Sequence, residues 1–222
     1  MVIFDAVVLA GGRSSRLGGQ PKAGLILDGE SLLQRAVAAT SGCRAVVVVG
    51  ERAAGTIFAC DDPPFGGPAA GLAAGMRALE LGGTDRRDTT CAGGGSGATA
   101  AELTLVLACD VPHAADAVDA LLAHRSRIGK GALDGVVAVD PDGRRQPLLA
   151  LYSTSALRAA VDRTDLHGLS MRGLLAGLRL DDIEVPAGST DDVDTWDDAT
   201  RLGVSPPTTS LSTTPPPTAQ PA

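Results

Sequence analysis

Hydrophobic positions along the chain fall into almost wholly apolar runs and into helical segments. Runs rich in valine, leucine and alanine occur at residues 6–10, 44–49 and 103–108. Such runs are typical of strands that are buried on both faces in a parallel sheet. Helices are predicted over residues 32–41 and 69–81, the first with a serine cap. Because strand, helix and strand alternate, we expect a right-handed parallel crossover.

The second half of the chain indicates a small antiparallel section. An amphipathic helix is predicted over residues 117–128, and a strand over 134–139. The tight turn Asp140-Pro141-Asp142-Gly143 then leads into a hairpin partner at residues 144–152, with helices expected at 156–163 and 170–178. The whole pattern predicts an α/β fold with three layers, in which a mostly parallel central sheet carries helices on both faces.

Length and composition limit the number of domains. The 222 residues suffice for one α/β domain, and an aromatic content of 2% means that leucine, valine, isoleucine and alanine must build its core. We expect a single domain over residues 1–203 with a flexible, glycine-rich insertion at 82–101. Residues 204–222 are rich in proline and threonine, which predicts a disordered tail.

Charge and cysteine usage exclude several classes of function. Lysine and arginine total 19 against 26 acidic residues, a net charge of -7 without an extended basic stripe, so nucleic acid is excluded as a partner. The four cysteines show no metal-binding or disulfide spacing, and no apolar run approaches the ~20 residues of a membrane span. We therefore expect a cytoplasmic protein with free thiols and no membrane contact.

The chemistry begins where the first apolar run ends, at Gly11-Gly12. Adjacent glycines let backbone N–H groups converge on an anion such as a phosphate. Residues 6–27 contain no acidic residue, whereas Arg13, Arg16 and Lys22 supply three cations. The spacing fits neither a Walker loop nor the dinucleotide fingerprint. An ordinary glycine-rich turn with solvated arginines is the alternative.

Asp110 is a second candidate for chemistry. It follows the apolar run at 103–108, which places its carboxylate at the carboxyl edge of the sheet, where open α/β folds bind ligands. A turn or a helix cap is the alternative for a single aspartate at this position.

These motifs, in this order, resemble those of nucleotidyltransferases with a Rossmann-like fold, and Leu9-Ala10-Gly11-Gly12 most resembles the molybdenum cofactor guanylyltransferases. The resemblance extends to later motifs with local departures, such as Ala69 and Val111 where the family has leucine and methionine, and Trp196 where proline is common. The later motifs are 66–71, 108–112, 146–152, 171–175 and 192–198.

The resemblance implies roles for individual residues. It gives catalytic roles to Arg16, Lys22 and Asp110, and a Mg²⁺ ion to Asp110 with Asp194, Asp192 being the second choice for that ligand. The residues that it assigns to the nucleotide are Leu9, Ala10, Gly11, Gly12, Lys22, Asp62, Gly67, Gly71 and Asp110, with Asp61 as an equally placed alternative to Asp62. The residues that it assigns to the acceptor are Gln146, Pro147 and Arg172, the last of which could equally be a solvated helix arginine.

The activity implied by the resemblance is the transfer of GMP from GTP to the phosphate of molybdopterin, which releases pyrophosphate. A molybdoenzyme or its chaperone is the implied protein partner. Two alternatives remain open at the level of the sequence. One is a relative of the same fold that uses another nucleotide or another acceptor, such as a cytidylyl or sugar-phosphate enzyme, and the other is a non-catalytic nucleotide-binding protein in cofactor delivery.

Overall fold

A central seven-stranded sheet organises the chain, as seen in a computed structural model that describes residues 2–12, 14–60, 66–81, 101–128 and 133–207. The strands are β1 Phe4–Leu9, β2 Ile26–Leu27, β3 Glu30–Ser31, β4 Val46–Val49, β5 Ile57–Ala59, β6 Leu103–Ala108, β7 Gly135–Val139, β8 Arg145–Ser153 and β9 Leu180–Glu184. The α-helices are α1 Leu32–Ala39, α2 Pro68–Glu80, α3 Ala114–Ile128, α4 Thr154–Asp162, α5 Met171–Leu174 and α6 Trp196–Arg201.

The strand order is β5-β4-β1-β6-β8-β7-β9, and β2 pairs with β3 in a separate two-stranded hairpin. Strands β5, β4, β1 and β6 are parallel to one another, whereas β8 is antiparallel to both β6 and β7. The predicted parallel sheet with a small antiparallel section is therefore confirmed. The carboxyl ends of β4, β1 and β6 come together at one edge, which is where such sheets bind ligands.

The hydrophobic core has a layer on each face of this sheet. Alternate residues of β1 contribute to different layers, because Ala6 and Val8 pack with α1 and α3 whereas Val7 packs with α2 and α4. All three side chains are fully buried. This two-sided burial is the physical reason for the uninterrupted apolar run at the start of the chain.

A third and smaller cluster joins two distant parts of the chain. Leu17, Leu25 and Leu32, which follow the first strand, pack with Val193 and Val204 near the other end. Ile26 and Ser205 also exchange two backbone hydrogen bonds of 2.8 Å. Packing thus continues two residues beyond Gly203, the predicted end of the domain, because a buried valine completes this cluster.

Several predicted boundaries differ from the observed ones. Helix α3 begins three residues earlier than predicted, and α5 ends at Leu174, short of the predicted residue 178, with turn hydrogen bonds following it. Strands β5 and β9 were not predicted, because the former is three residues long and the latter carries three acidic residues on the edge of the sheet. Most of the 82–101 insertion lies outside the described residues. Ala101 itself is buried and donates its N–H to Asp5.

Candidate active site

A cavity of about 990 Å³ lies at the carboxyl edge of the sheet, against the ends of β1, β4 and β6. It gathers most of the residues that the sequence singles out. The predicted residues on its wall are Leu9, Ala10, Gly11, Gly12, Arg16, Lys22, Gly67, Gly71, Asp110, Gln146, Pro147, Asp192 and Asp194. Asp61 and Asp62 lie outside the described residues, and Arg172 is exposed on α5 and does not line the cavity.

The loop after β1 is held by short-range turns and one buried side chain. Its residues 15–17 form a single turn of 3₁₀ helix, which ends at Gly18 with φ of 65°. Leu17 is buried in the small third cluster and so anchors the loop to the rest of the domain. Gly11 and Gly12 stay exposed on the cavity wall, where their backbone is accessible to an anion.

Lys22 is the central cation of the site. Its ammonium group donates to Oδ2 of Asp110 at 2.7 Å and to Oδ1 of Asp194 at 2.5 Å, and its side chain is 20% exposed. Burial acts to lower the pKa of Lys22, but the charge of Asp110 and the hydrogen bonds to both aspartates outweigh it, so the pKa is raised. Lys22 is therefore a permanent cation that joins the end of β6 to the segment before α6.

The segment before α6 passes beside Asp110 and brings two more carboxylates next to it. Val193 is fully buried and donates its N–H to the carbonyl oxygen of Asp110 at 2.9 Å, which fixes the position of its two neighbours. One carboxylate oxygen from each of Asp110, Asp192 and Asp194 lies within 4.8 Å of the others. Burial, followed by the charges of Asp194 and Asp110, raises the pKa of Asp192.

This acidic cluster fits a divalent cation. Three carboxylates converge from two chain segments, and hard cations such as Mg²⁺ take oxygen ligands of this kind. Burial is the largest cause of the raised pKa of Asp192, and the charges of Asp194 and Asp110 add to it; a bound cation would offset that added repulsion. Both aspartates that the sequence offered as the second ligand therefore belong to one cluster, and only Asp194 also pairs with Lys22 and, at 3.3 Å, with Arg16.

The opposite side of the cavity is formed mainly by glycine and by the ends of β4 and β5. The first turn of α2 contributes Gly67, Pro68 and Gly71 to the wall. Gly50 has φ of 98°, and a Cβ at that position would lie 2.9 Å from the Cα of Gly11. The backbone after β4 therefore lies directly against Gly11 in the loop after β1, at a distance that only glycine permits.

The start of β8 forms a third part of the wall. The pairing between β7 and β8 changes register here, since Ala138 pairs with Gln146 whereas its neighbour Val137 pairs with Ala150. Pro147 lies within this irregularity, as expected for a proline in a strand, and its carbonyl oxygen accepts a hydrogen bond of 2.8 Å from the hydroxyl of Tyr152.

Some lining residues had no place in the sequence-based prediction, notably Glu51, Cys60 and Cys109. Glu51 follows the apolar run of β4 in the same way that Asp110 follows the run of β6, so the same rule about carboxyl ends of strands could have found it. Burial, more than any other cause, raises the pKa of Cys109, which makes this thiol unreactive.

Comparisons with known proteins agree with this geometry. A family model described as a MobA-like NTP transferase domain matches residues 6–183 of the chain. The chain belongs to the MobA-like NTP transferase family. It is similar to the probable molybdenum cofactor guanylyltransferase of Opitutus terrae, with 34% identity over 180 residues that make up 77% of each chain. The family resemblance predicted from the motifs is confirmed, and the chain is a nucleotidyltransferase.

Solved structures of MobA-like proteins share the fold. Molybdopterin-guanine dinucleotide biosynthesis protein A from Archaeoglobus fulgidus superimposes with a TM-score of 0.63 at 21% identity, covering 89% of this chain and 96% of that one. A Mycobacterium tuberculosis protein in complex with manganese superimposes with a TM-score of 0.57 at 18% identity, covering 90% and 97%. The Rossmann-like fold of the nucleotidyltransferases is thus confirmed. Within the described residues, no helix is long and apolar enough to span a membrane.

Proposed function

We propose that this MobA-like transferase moves GMP from GTP to the phosphate of molybdopterin, forming the guanine dinucleotide cofactor and pyrophosphate. The observation that carries the proposal is the contact of Lys22 with both Asp110 and Asp194 inside a cavity bordered by the glycine-rich loop. The name of the Opitutus terrae relative supports the choice of guanylyl transfer.

The reaction brings two anions together, so the protein must position them and neutralise charge. The acceptor phosphate is already a nucleophile, and it attacks the α-phosphate of GTP in line while pyrophosphate leaves. The backbone of Gly11 and Gly12 binds phosphate oxygens, and Lys22 with Arg16 takes up the charge that develops on the leaving group. No covalent intermediate with the protein is required.

Asp110 and Asp194, together with Asp192, would hold Mg²⁺ in this proposal. When bound, the ion would supply positive charge to the triphosphate oxygens. The three carboxylates carry a formal charge that Lys22 alone does not balance, so they have capacity for a further cation.

In this proposal the two substrates bind at opposite ends of the cavity, on either side of β1 and β6 in the order of the strands. The nucleoside lies toward β4 and the first turn of α2, where Leu9, Ala10, Gly67 and Gly71 line the cavity. The acceptor lies toward β8, where the wall contains Gln146 and Pro147. The α-phosphate then comes between the two, at the ends of β1 and β6.

The cellular setting is also part of the proposal. We propose that the reaction takes place in the cytoplasm and that the product passes to a molybdoenzyme or its chaperone. The described cysteines Cys43, Cys60 and Cys109 are free thiols, as expected in a reducing compartment.

An Asp110→Asn variant tests the function. It removes one charge at nearly constant shape, so GTP binding should stay within severalfold of the parent while single-turnover formation of guanine dinucleotide falls at least ~100-fold. Asp119→Asn, at an exposed position of α3, is the matched control and should keep the parent rate. A parent rate in the Asp110 variant, or no product from GTP and molybdopterin with the parent protein, contradicts the proposal.

A further inference from the structure

Glu51 is a carboxylate on the nucleoside side of the cavity that the proposed chemistry does not use. It follows Gly50 at the end of β4, is half-buried and lines the cavity. The guanidinium of the adjacent Arg52 stacks on the ring of Phe58 at 4.1 Å and makes no ion pair with Glu51 among the described residues. Across the described parts of the chain, no hydrogen bond or ion pair reaches the Glu51 carboxylate.

Glu51 lines the same cavity as Cys109, which follows the end of β6. The charge of Glu51 is the smallest of the causes that raise the pKa of that thiol, after burial and Asp110. A half-buried carboxylate without a protein partner is free to accept hydrogen bonds from a group that enters the cavity. The donor expected at this position is a group of the ligand.

Backbone geometry places Glu51 at the end of β4, on the side of the cavity to which the proposed function assigns the nucleoside. Gly50 lies against Gly11, so its neighbour Glu51 is close in space to the glycine-rich loop after β1. The cluster of Asp110, Asp192 and Asp194 occupies the other side of that loop. With the nucleoside on the side of β4, as in the proposed function, a nucleotide whose phosphates reach Lys22 has its base next to Glu51 and the first turn of α2.

We propose that Glu51 selects guanine by accepting hydrogen bonds from the N1–H and the exocyclic amino group of the base. Guanine presents these two donors side by side on its Watson–Crick edge, and a carboxylate has two acceptor oxygens that match them. Adenine and cytosine place an acceptor nitrogen next to their amino group, and uracil flanks its single N–H with carbonyl oxygens. Each of these bases would direct a lone pair at the carboxylate, which disfavours its binding.

This inference rests on the proposed guanylyl transfer and is tested by nucleotide titrations. Dissociation constants for GTP, ITP, ATP, CTP and UTP are measured by calorimetry at one magnesium concentration, for the parent and for Glu51→Gln. ITP lacks only the exocyclic amino group. Because a hydrogen bond to a charged group contributes a factor of roughly 10 to 100, the parent should bind GTP that much more tightly than ITP.

The Glu51→Gln variant keeps the size of the side chain but replaces one acceptor with a donor. Its preference for GTP over ITP should fall below about threefold, since one donor of guanine then faces the amide N–H₂. Glu184→Gln, at an exposed position on β9, is the matched control and should keep the parent preference. Thermal melting of all three proteins verifies that they are folded.

The outcomes separate the two proposals. A parent that prefers CTP or UTP to GTP contradicts guanylyl transfer and the role of Glu51 together. A parent that prefers GTP but binds ITP equally well contradicts the role of Glu51 alone, and no variant is needed for that result. A Glu51→Gln protein that retains the parent ratio of GTP to ITP affinity also contradicts the role of Glu51, while guanylyl transfer is unaffected.

Discussion

The two sides of the cavity differ in how they are stabilised and in what they offer a substrate. On the acidic side, Lys22 pairs with Asp110 and Asp194. On the glycine side, the backbone of Gly50 lies against Gly11, and the single carboxylate of Glu51 has no partner within the described residues. We therefore expect the acidic side to stabilise charge and the glycine side to bind the base of the nucleotide.

The two sides also depend on different parts of the core. The acidic side rests on the small third cluster, in which Leu17 and Leu25 meet Val193 and Val204. The glycine side rests on the larger layer that packs β4 against α2. Because the clusters are separate, substitutions in one should affect charge stabilisation and substitutions in the other should affect nucleotide recognition, with effects that add.

The largest effect is expected from Lys22→Met. Loss of its charge leaves three carboxylates without their central cation, so both GTP affinity and rate should fall, the rate at least ~100-fold. Arg16 is 72% exposed at its side chain and pairs only with Asp194 among the described residues, so Arg16→Ala should cost less than about tenfold. Single-turnover assays beside GTP titrations measure both variants. Equal losses in the two would contradict the central role of Lys22.

A smaller effect is expected from Gly50→Ala on the glycine side. The new Cβ would meet the backbone of Gly11 at 2.9 Å, so stability should fall by about 1–3 kcal/mol and GTP affinity should fall with it. Gly143→Ala is the control, since Gly143 also has a positive φ but nothing lies within 4 Å of its Cβ position. It should lose about 1 kcal/mol or less and no affinity, as measured by urea denaturation and calorimetry. Equal stability and equal GTP affinity of the Gly50→Ala and Gly143→Ala proteins would contradict the close contact between Gly50 and Gly11.

Truncation of the chain after Gly203 tests whether the third cluster supports the acidic side of the cavity. The truncated chain loses buried Val204 and the pairing of Ser205 with Ile26, so unfolding should cost about 1–2 kcal/mol less. A chain ended after Pro207 keeps both contacts and should match the parent. Urea denaturation measures each difference. If both truncated chains match the parent, the third cluster does not support the acidic side.

The smallest effect is expected from Arg172→Ala. Arg172 is exposed and does not line the cavity, so GTP affinity should stay within about twofold of the parent. The acceptor role implied by the family resemblance predicts a KM for molybdopterin raised by less than about fivefold, the range of an exposed charge contact. Arg163→Ala, also exposed, is the control. An unchanged KM would remove Arg172 from the acceptor site.

Residues in regular patterns were the ones that the sequence predicted well. The apolar runs that became β1, β4 and β6 located the sheet, and the residues that follow β1 and β6 located Lys22 and Asp110 in the site. Residues outside such patterns were harder to place. Glu51 was not predicted, although it follows the apolar run of β4 as Asp110 follows that of β6. Arg172 lies on the exposed surface of α5, and its role at the acceptor stays a prediction.

The sequence by itself determined the class of fold, the order of strands and helices along the chain, and the exposed glycine backbone of the loop after β1. These follow from local chemistry, because burial on both faces requires apolar runs and close backbone approach requires glycine. The tertiary structure decided that Asp192 and Asp194 join Asp110, and that Val204 belongs to the core. Those contacts join residues that are far apart in the chain. Whether such residues meet depends on packing and on loop closure, which no local pattern encodes.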